Sequence, residues 1–122
     1  MDALIVDDSR AMRMILTRIM TEIGFETYEA ENGQEALECL KKVGVVDVAL
    51  VDWNMPVMNG LDFIKAIRAD NRFNDTRILM VTSESDFGNV TEALAAGADE
   101  YAMKPFDRSM IIDKLQLVGL GA

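Results

Sequence analysis

Four consecutive apolar residues, Val48-Ala49-Leu50-Val51, run directly into Asp52, and Pro56 closes the segment. A run this short, with no polar alternation, fits a strand buried on both faces, as in a parallel sheet covered by helices on each side. Pro56 lacks the N–H that a ladder needs and disfavours helix at Met55. Asp52 is therefore expected where a buried strand gives way to a loop. In open parallel sheets, ligands collect at that carboxyl edge. The rest of the chain is expected to arrange its chemistry around Asp52.

The flanking sequence repeats the same unit. Ala3-Leu4-Ile5-Val6 is broken by Asp7-Asp8-Ser9, and from Arg10 the pattern is helical. Met12, Met14, Ile15, Ile19, Met20 and Ile23 fall at threes and fours, with Arg13, Thr17, Arg18 and Glu22 between them. Asp8 or Ser9 can cap this helix and Gly24 can end it. Phe25 to Ala30 alternates as a second, less buried strand. Asn32-Gly33-Gln34-Glu35 resembles a capping box ahead of Ala36, Leu37, Leu40 and Val43. Beyond the central run, Leu61, Phe63, Ile64 and Ile67 mark a third helix, and the polar stretch Asp70 to Asp75 follows. Arg77 to Thr82 reads as a fourth strand. Ser83-Glu84-Ser85-Asp86 leads to a weaker helix with Val90, Ala93, Leu94 and Ala96. Asp99 to Met103 is a poor strand by composition and is assigned because the period requires a fifth unit. Asp107 caps a last helix carrying Met110, Ile111, Leu115 and Val118. Strands alternating with helices of about ten to fifteen residues indicate βαβ units and a parallel sheet with helices on both faces.

Composition narrows the chemistry. A chain of 122 residues supports one domain with its own core. A net charge of −9 argues against nucleic acid as a direct partner and favours basic or metal-ion partners. The absence of histidine removes imidazole ligands, imidazole bases and phosphohistidine from this chain. The lone Cys39 cannot form an internal disulfide, and no apolar run approaches a membrane span, so a cytoplasmic setting is expected.

The polar residues fall at the strand ends. The first strand ends at Asp7-Asp8, the third at Asp52, the fourth at Thr82-Ser83 and the fifth at Lys104-Pro105. In a parallel sheet these are all carboxyl ends on one edge. Any one of them alone reads as a turn, a cap or a solvated lysine. Together they place three carboxylates, a hydroxyl and an ammonium around one pocket. Clustered carboxylates repel unless a cation neutralises them. Oxygen ligands alone select a hard ion, Mg2+ or Mn2+. Mg2+ completes its shell with water and phosphate oxygens. A carboxylate can act as the nucleophile to form an acyl phosphate, and Asp52, leaving the most buried strand, is the candidate.

Leu4-Ile5-Val6-Asp7-Asp8, Val51-Asp52-Trp53-Asn54-Met55-Pro56 with Asn59-Gly60, Val81-Thr82 and Lys104-Pro105-Phe106 resemble the receiver domain of two-component response regulators. The resemblance spans essentially the whole chain. It implies a flavodoxin-like, doubly wound (βα)5 fold with strand order 2-1-3-4-5 and a single receiver domain over residues 1–122 without an output domain. It implies that Asp52 takes a phosphoryl group from a histidine kinase's phosphohistidine. Asp8, Asp52 and the carbonyl of Asn54 are the implied Mg2+ ligands, and Asp7 holds a metal-bound water. Thr82 and Lys104 contact the phosphoryl group, Tyr101 is the switch aromatic, and Lys104-Pro105 is a cis peptide. Asn54 and Glu84 match the chemotaxis-type pattern, which implies a short-lived phosphate. The implied output is a partner-binding face made by the fourth helix, fifth strand and fifth helix. A flagellar motor switch is one such target, a phosphorelay shuttle is an alternative role, and the chain is a monomer or a phosphorylation-linked dimer.

Other readings meet specific obstacles. A small Mg2+-dependent phosphatase working through an aspartyl phosphate would carry an Asp-x-Asp motif after the first strand, where this chain has Asp7-Asp8-Ser9. A flavodoxin-like electron carrier would need a first loop that accepts a phosphate, and this one is acidic. A receiver-like module that works without phosphorylation would not need the full set of site residues.

Overall fold

The structure, a computed structural model, describes residues 1–83 and 88–120. Its elements in chain order are β1 (Asp2–Val6), α1 (Arg10–Ile23), β2 (Glu26–Ala30), α2 (Gly33–Val43), β3 (Val48–Val51), α3 (Gly60–Arg68), β4 (Arg77–Thr82), α4 (Val90–Ala96), β5 (Glu100–Met103) and α5 (Arg108–Leu117). A single 3-10 turn, Asn71–Phe73, occupies part of the polar stretch after α3. The five strands form one parallel sheet in the order β2-β1-β3-β4-β5, the order implied by the family resemblance. Among the described residues no helix is long and apolar enough to cross a membrane.

The caps read from sequence are in place. Ser9 rather than Asp8 caps α1, its side chain accepting from Met12 N, and Gly24 ends the helix at φ 115°, where a side chain would be strained. Asn32 and Asp107 cap α2 and α5 by accepting from the amides of Glu35 and Met110, and Asn59, which the sequence reading did not name as a cap, does the same for α3 with the amide of Asp62.

Successive residues of the central strands enter different cores. Leu4, Val6, Ala49, Val51, Ile78 and Met80 pack with Phe63, Ile64 and Ile67 of α3 and Ala36 and Leu40 of α2. Ala3, Ile5, Val48, Leu50, Leu79 and Val81 pack with Leu16, Ile19 and Met20 of α1 and Ile111 and Leu115 of α5. All four residues of β3 are fully buried, which accounts for a strand with no polar position. Burying Leu50 or Val51 contributes about 2 kcal/mol each. β2, at the sheet edge, is only partly buried, as its alternation suggests.

Three helices sit differently from expectation. In α1 the inward positions are Arg13, Leu16, Ile19 and Met20, while Met14 and Ile15 are exposed at 63% and 49%. The helix has more apolar residues than its inward stripe can hold, so its phase cannot be taken from a list of apolar positions. In α4, Val90 and Ala93 are buried and Leu94 is exposed. In α5, Ile111 and Leu115 carry the packing and Met110 lies at the surface.

The edge of the sheet opposite the strand carboxyl ends is tied by one side chain. Arg68, at the end of α3, donates from Nε to Gly97 O at 2.9 Å, from one terminal nitrogen to Phe73 O at 2.8 Å, and from the other to Asp99 Oδ2 at 2.9 Å. That Asp99 oxygen also accepts from Ile78 N at 2.7 Å.

Candidate functional site

Each polar residue expected at the carboxyl edge sits at or just past its strand end, and the ladder extends to hold it. Asp7 N donates to Ala30 O at 3.1 Å, Asp52 N to Val6 O at 2.9 Å and Lys104 N to Thr82 O at 2.7 Å. Asp7 and Asp52 are thereby fixed as rigidly as the strands that carry them. Asp7, Asp8 and Asp52 bring one carboxylate oxygen each within 4.8 Å of one another. Asp7 and Asp52 are buried, and Asp8 is exposed at the mouth.

Lys104 reaches into this cluster, with Nζ 3.6 Å from Asp7 Oδ2 and 3.5 Å from Asp52 Oδ1. Its peptide bond to Pro105 is cis. Asp52 Oδ1 also accepts from Trp53 N at 2.9 Å. Burial, and next the neighbouring Asp7 carboxylate, push the Asp52 carboxyl up from 3.8 to about 6; Lys104 and the Trp53 amide pull the other way. One ammonium does not neutralise three carboxylates. Among the described residues the buried Asp7 Oδ2 has no hydrogen-bond partner, and the Lys104 ammonium stands 3.6 Å from it. A buried carboxylate oxygen left in that state suits a cation with a full oxygen shell. The donor set has no nitrogen or sulfur, so the residues fit Mg2+ or Mn2+.

Thr82, the last residue of β4, is buried, and its Oγ1 contacts Ser83 O at 3.4 Å. Asn54 is exposed two residues past Asp52. Glu84, paired with Asn54 by the resemblance, lies outside the described residues. Tyr101, on β5, is partly buried against the core. The Lys114 ammonium of α5 stands 4.7 Å from its ring centroid and 3.3 Å from Glu100 Oε1.

The loop from Asp52 to α3 is folded tightly. Gly60 N donates to Trp53 O at 3.0 Å, and a Cβ at Gly60 would collide with the backbone oxygen of Asp52. Only glycine lets α3 begin this close to the strand end. Val57 adopts φ 68° and is 83% exposed. A β-branched residue in the left-handed region is strained.

Arg13 reaches the site although the sequence assigns it no role there. Expected between apolar positions, it is buried, and one terminal guanidinium nitrogen donates to Asp7 O at 2.7 Å. The usable signal was spacing: positions 13, 16 and 20 share a helix face, and Leu16 and Met20 lie inward.

Residues 3–116 match the response regulator receiver domain family, and the chain belongs to it. The chemotaxis protein CheY1 of Helicobacter pylori is 44% identical over 119 residues, covering 97% of this chain and 96% of that protein. The chemotaxis protein CheY homolog of Campylobacter jejuni is 42% identical over 124 residues, covering 100% of this chain and 95% of its own length. Among solved structures, the chemotaxis response regulator CheY4 of Vibrio cholerae matches with a TM-score of 0.87 at 37% identity, over 96% of this chain and 97% of that one. Within the family the chain is of the CheY type. Receiver domains are signalling switches that bind Mg2+ through an acidic pocket, and Asp7, Asp8 and Asp52 form such a cluster here.

Proposed function

We propose that Asp52 is the phosphoacceptor, taking a phosphoryl group from the phosphohistidine of a histidine kinase. The observation that carries this is the convergence of Asp7, Asp8, Asp52 and Lys104 at one sheet edge, with Asp52 buried and its ladder N–H anchored. A carboxylate oxygen of Asp52 attacks phosphorus, the P–N bond breaks, and the imidazole leaves with its electron pair and takes up a proton. Asp7, Asp8, Asp52 and the Asn54 carbonyl would hold Mg2+, with Asp7 acting through a water. When bound, the ion neutralises the oxygens of the transferring group. Lys104 binds a phosphoryl oxygen in place of its present contact with Asp52.

The acyl phosphate adds charge and acceptor oxygens beside Thr82. Thr82 is drawn toward it, Tyr101 turns inward, and the surface of α4, β5 and α5 changes. Leu94, Met110 and Leu117 are exposed on α4 and α5, which supports that face as a protein-binding surface. We read residues 1–122 as one cytoplasmic receiver domain whose target is a flagellar motor switch. Its self-catalysed phosphoryl transfer and hydrolysis serve switching rather than turnover of a substrate. Asn54 fits a short-lived phosphate.

Trp53 adjoins the acceptor and reports on it. Mg2+ and then acetyl phosphate or beryllofluoride are expected to change its fluorescence, and Asp52→Asn to abolish incorporation of labelled phosphate. Full-rate labelling of Asp52→Asn would remove Asp52 from this role.

A further inference from the structure

The sequence motifs leave Arg13 without a task, yet its surroundings are specific. Its guanidinium is buried at the start of α1, with Nε 3.4 Å from Glu29 and one terminal nitrogen 3.6 Å from Glu31. Both glutamates are substantially exposed, and ion pairs with exposed partners contribute little. The shortest contact is to neither carboxylate but to the Asp7 carbonyl, at 2.7 Å. Asp7 is thereby held at three points: its N–H by Ala30 O, its carbonyl by Arg13, and its Oδ1 by the Ser9 amide at 2.8 Å. Its Oδ2 faces the pocket. Glu29 and Glu31 flank Ala30, the same residue that accepts the Asp7 N–H. The fork therefore spans the end of β1 and grips the end of β2 on either side of that bond.

We propose that Arg13 is a positioning residue for the acidic pocket: its buried guanidinium fixes the Asp7 carbonyl and so sets where Asp7 Oδ2 and the adjoining Asp8 carboxylate stand for a divalent cation. The inference rests on the reading that Asp7, Asp8 and Asp52 hold Mg2+. It predicts a sign that charge alone would not give. As a bare cation near the pocket, Arg13 would repel Mg2+, and its removal would tighten binding. As a positioning group, its removal weakens binding, because groups that orient metal-holding residues govern affinity at second hand.

The test is Mg2+ titration of the full chain, followed by Trp53 fluorescence and by calorimetry, in wild type, Arg13→Lys, Arg13→Met and the double variant Glu29→Gln/Glu31→Gln. Thermal unfolding is measured on each. Arg13→Lys keeps the charge and loses the fork, so it carries the comparison even where Arg13→Met does not fold. The expected result is a rise of about tenfold in the Mg2+ Kd of both Arg13 variants. The glutamate pair, which removes two weak ion pairs and leaves the Asp7 contact in place, is expected to keep its melting midpoint near that of wild type and its Kd within about twofold. An unchanged Kd in folded Arg13→Lys, or tighter binding in Arg13→Met, overturns the positioning role. A flat wild-type titration instead overturns the metal reading of the pocket itself, so the two failures are distinct.

Discussion

Asp52→Asn is expected to make the metal-free protein more stable. Burial and Asp7 raise the Asp52 carboxyl from 3.8 to about 6, so the folded state holds its proton more tightly than the unfolded chain does. The sign follows from linkage. Below pH 3.8 the group is protonated in both states and costs nothing. As pH rises, the unfolded chain releases the proton first, and stability is lost progressively until the folded group also ionises near 6. Above that the full penalty applies, on the order of 3 kcal/mol for a shift of this size. Asp52 is only 8% exposed, so solvent screens little of it. Asparagine removes the charge and keeps an acceptor for the Trp53 amide. Urea unfolding in chelator at pH 8 is expected to show the variant ahead by about 3 kcal/mol, or roughly 10 °C in a thermal scan. At pH 5 the advantage shrinks to about half. Saturating Mg2+ is expected to narrow the gap by stabilising the wild type more than the variant. A variant no more stable than wild type at pH 8, or an advantage that grows on acidification, refutes the electrostatic account of the pocket.

Val57→Asn relieves a left-handed backbone at an exposed position and is expected to add about 1 kcal/mol at unchanged denaturant slope; a lower urea midpoint counts against it. Gly60→Ala forces a Cβ onto the backbone oxygen of Asp52 and is expected to cost about 2 kcal/mol and slow labelling by acetyl phosphate, whereas wild-type stability would show that the loop has slack. Lys114→Met removes the ammonium from the Tyr101 ring and is expected to cost about 1 kcal/mol and move the ring's proton resonances, which stay put if the contact is incidental.

The sheet was legible because β3 offers no alternative: four apolar residues in a row, ending in Asp52, fit little besides a strand covered on both sides. The edge chemistry followed, since parallel strands place Asp7, Asp52, Thr82 and Lys104 on one side whatever the loops do. β5 was harder, because Glu100-Tyr101-Ala102-Met103 carries a single buried residue and is specified by its pairing with β4 rather than by pattern. The orientation of α1 was obscured for the opposite reason. It has apolar residues to spare, and a buried arginine takes a place that hydrophobicity assigns to methionine. The strain at Val57 has no sequence signature either, because valine is the residue least suited to that conformation.

The Arg68 clasp divides the molecule along each strand. Its three contacts, to the Gly97 and Phe73 carbonyls and to the Asp99 carboxylate that also accepts from the Ile78 amide, close the end of the sheet that carries no site residue. Substitutions there should surface as loss of soluble protein, with the surviving fraction signalling normally. Substitutions at the other end of the same strands should surface as well-expressed protein that signals wrongly. A genetic screen sorting variants by abundance and by output would therefore trace the boundary between the two ends residue by residue, with β4 crossing it between Ile78 and Thr82.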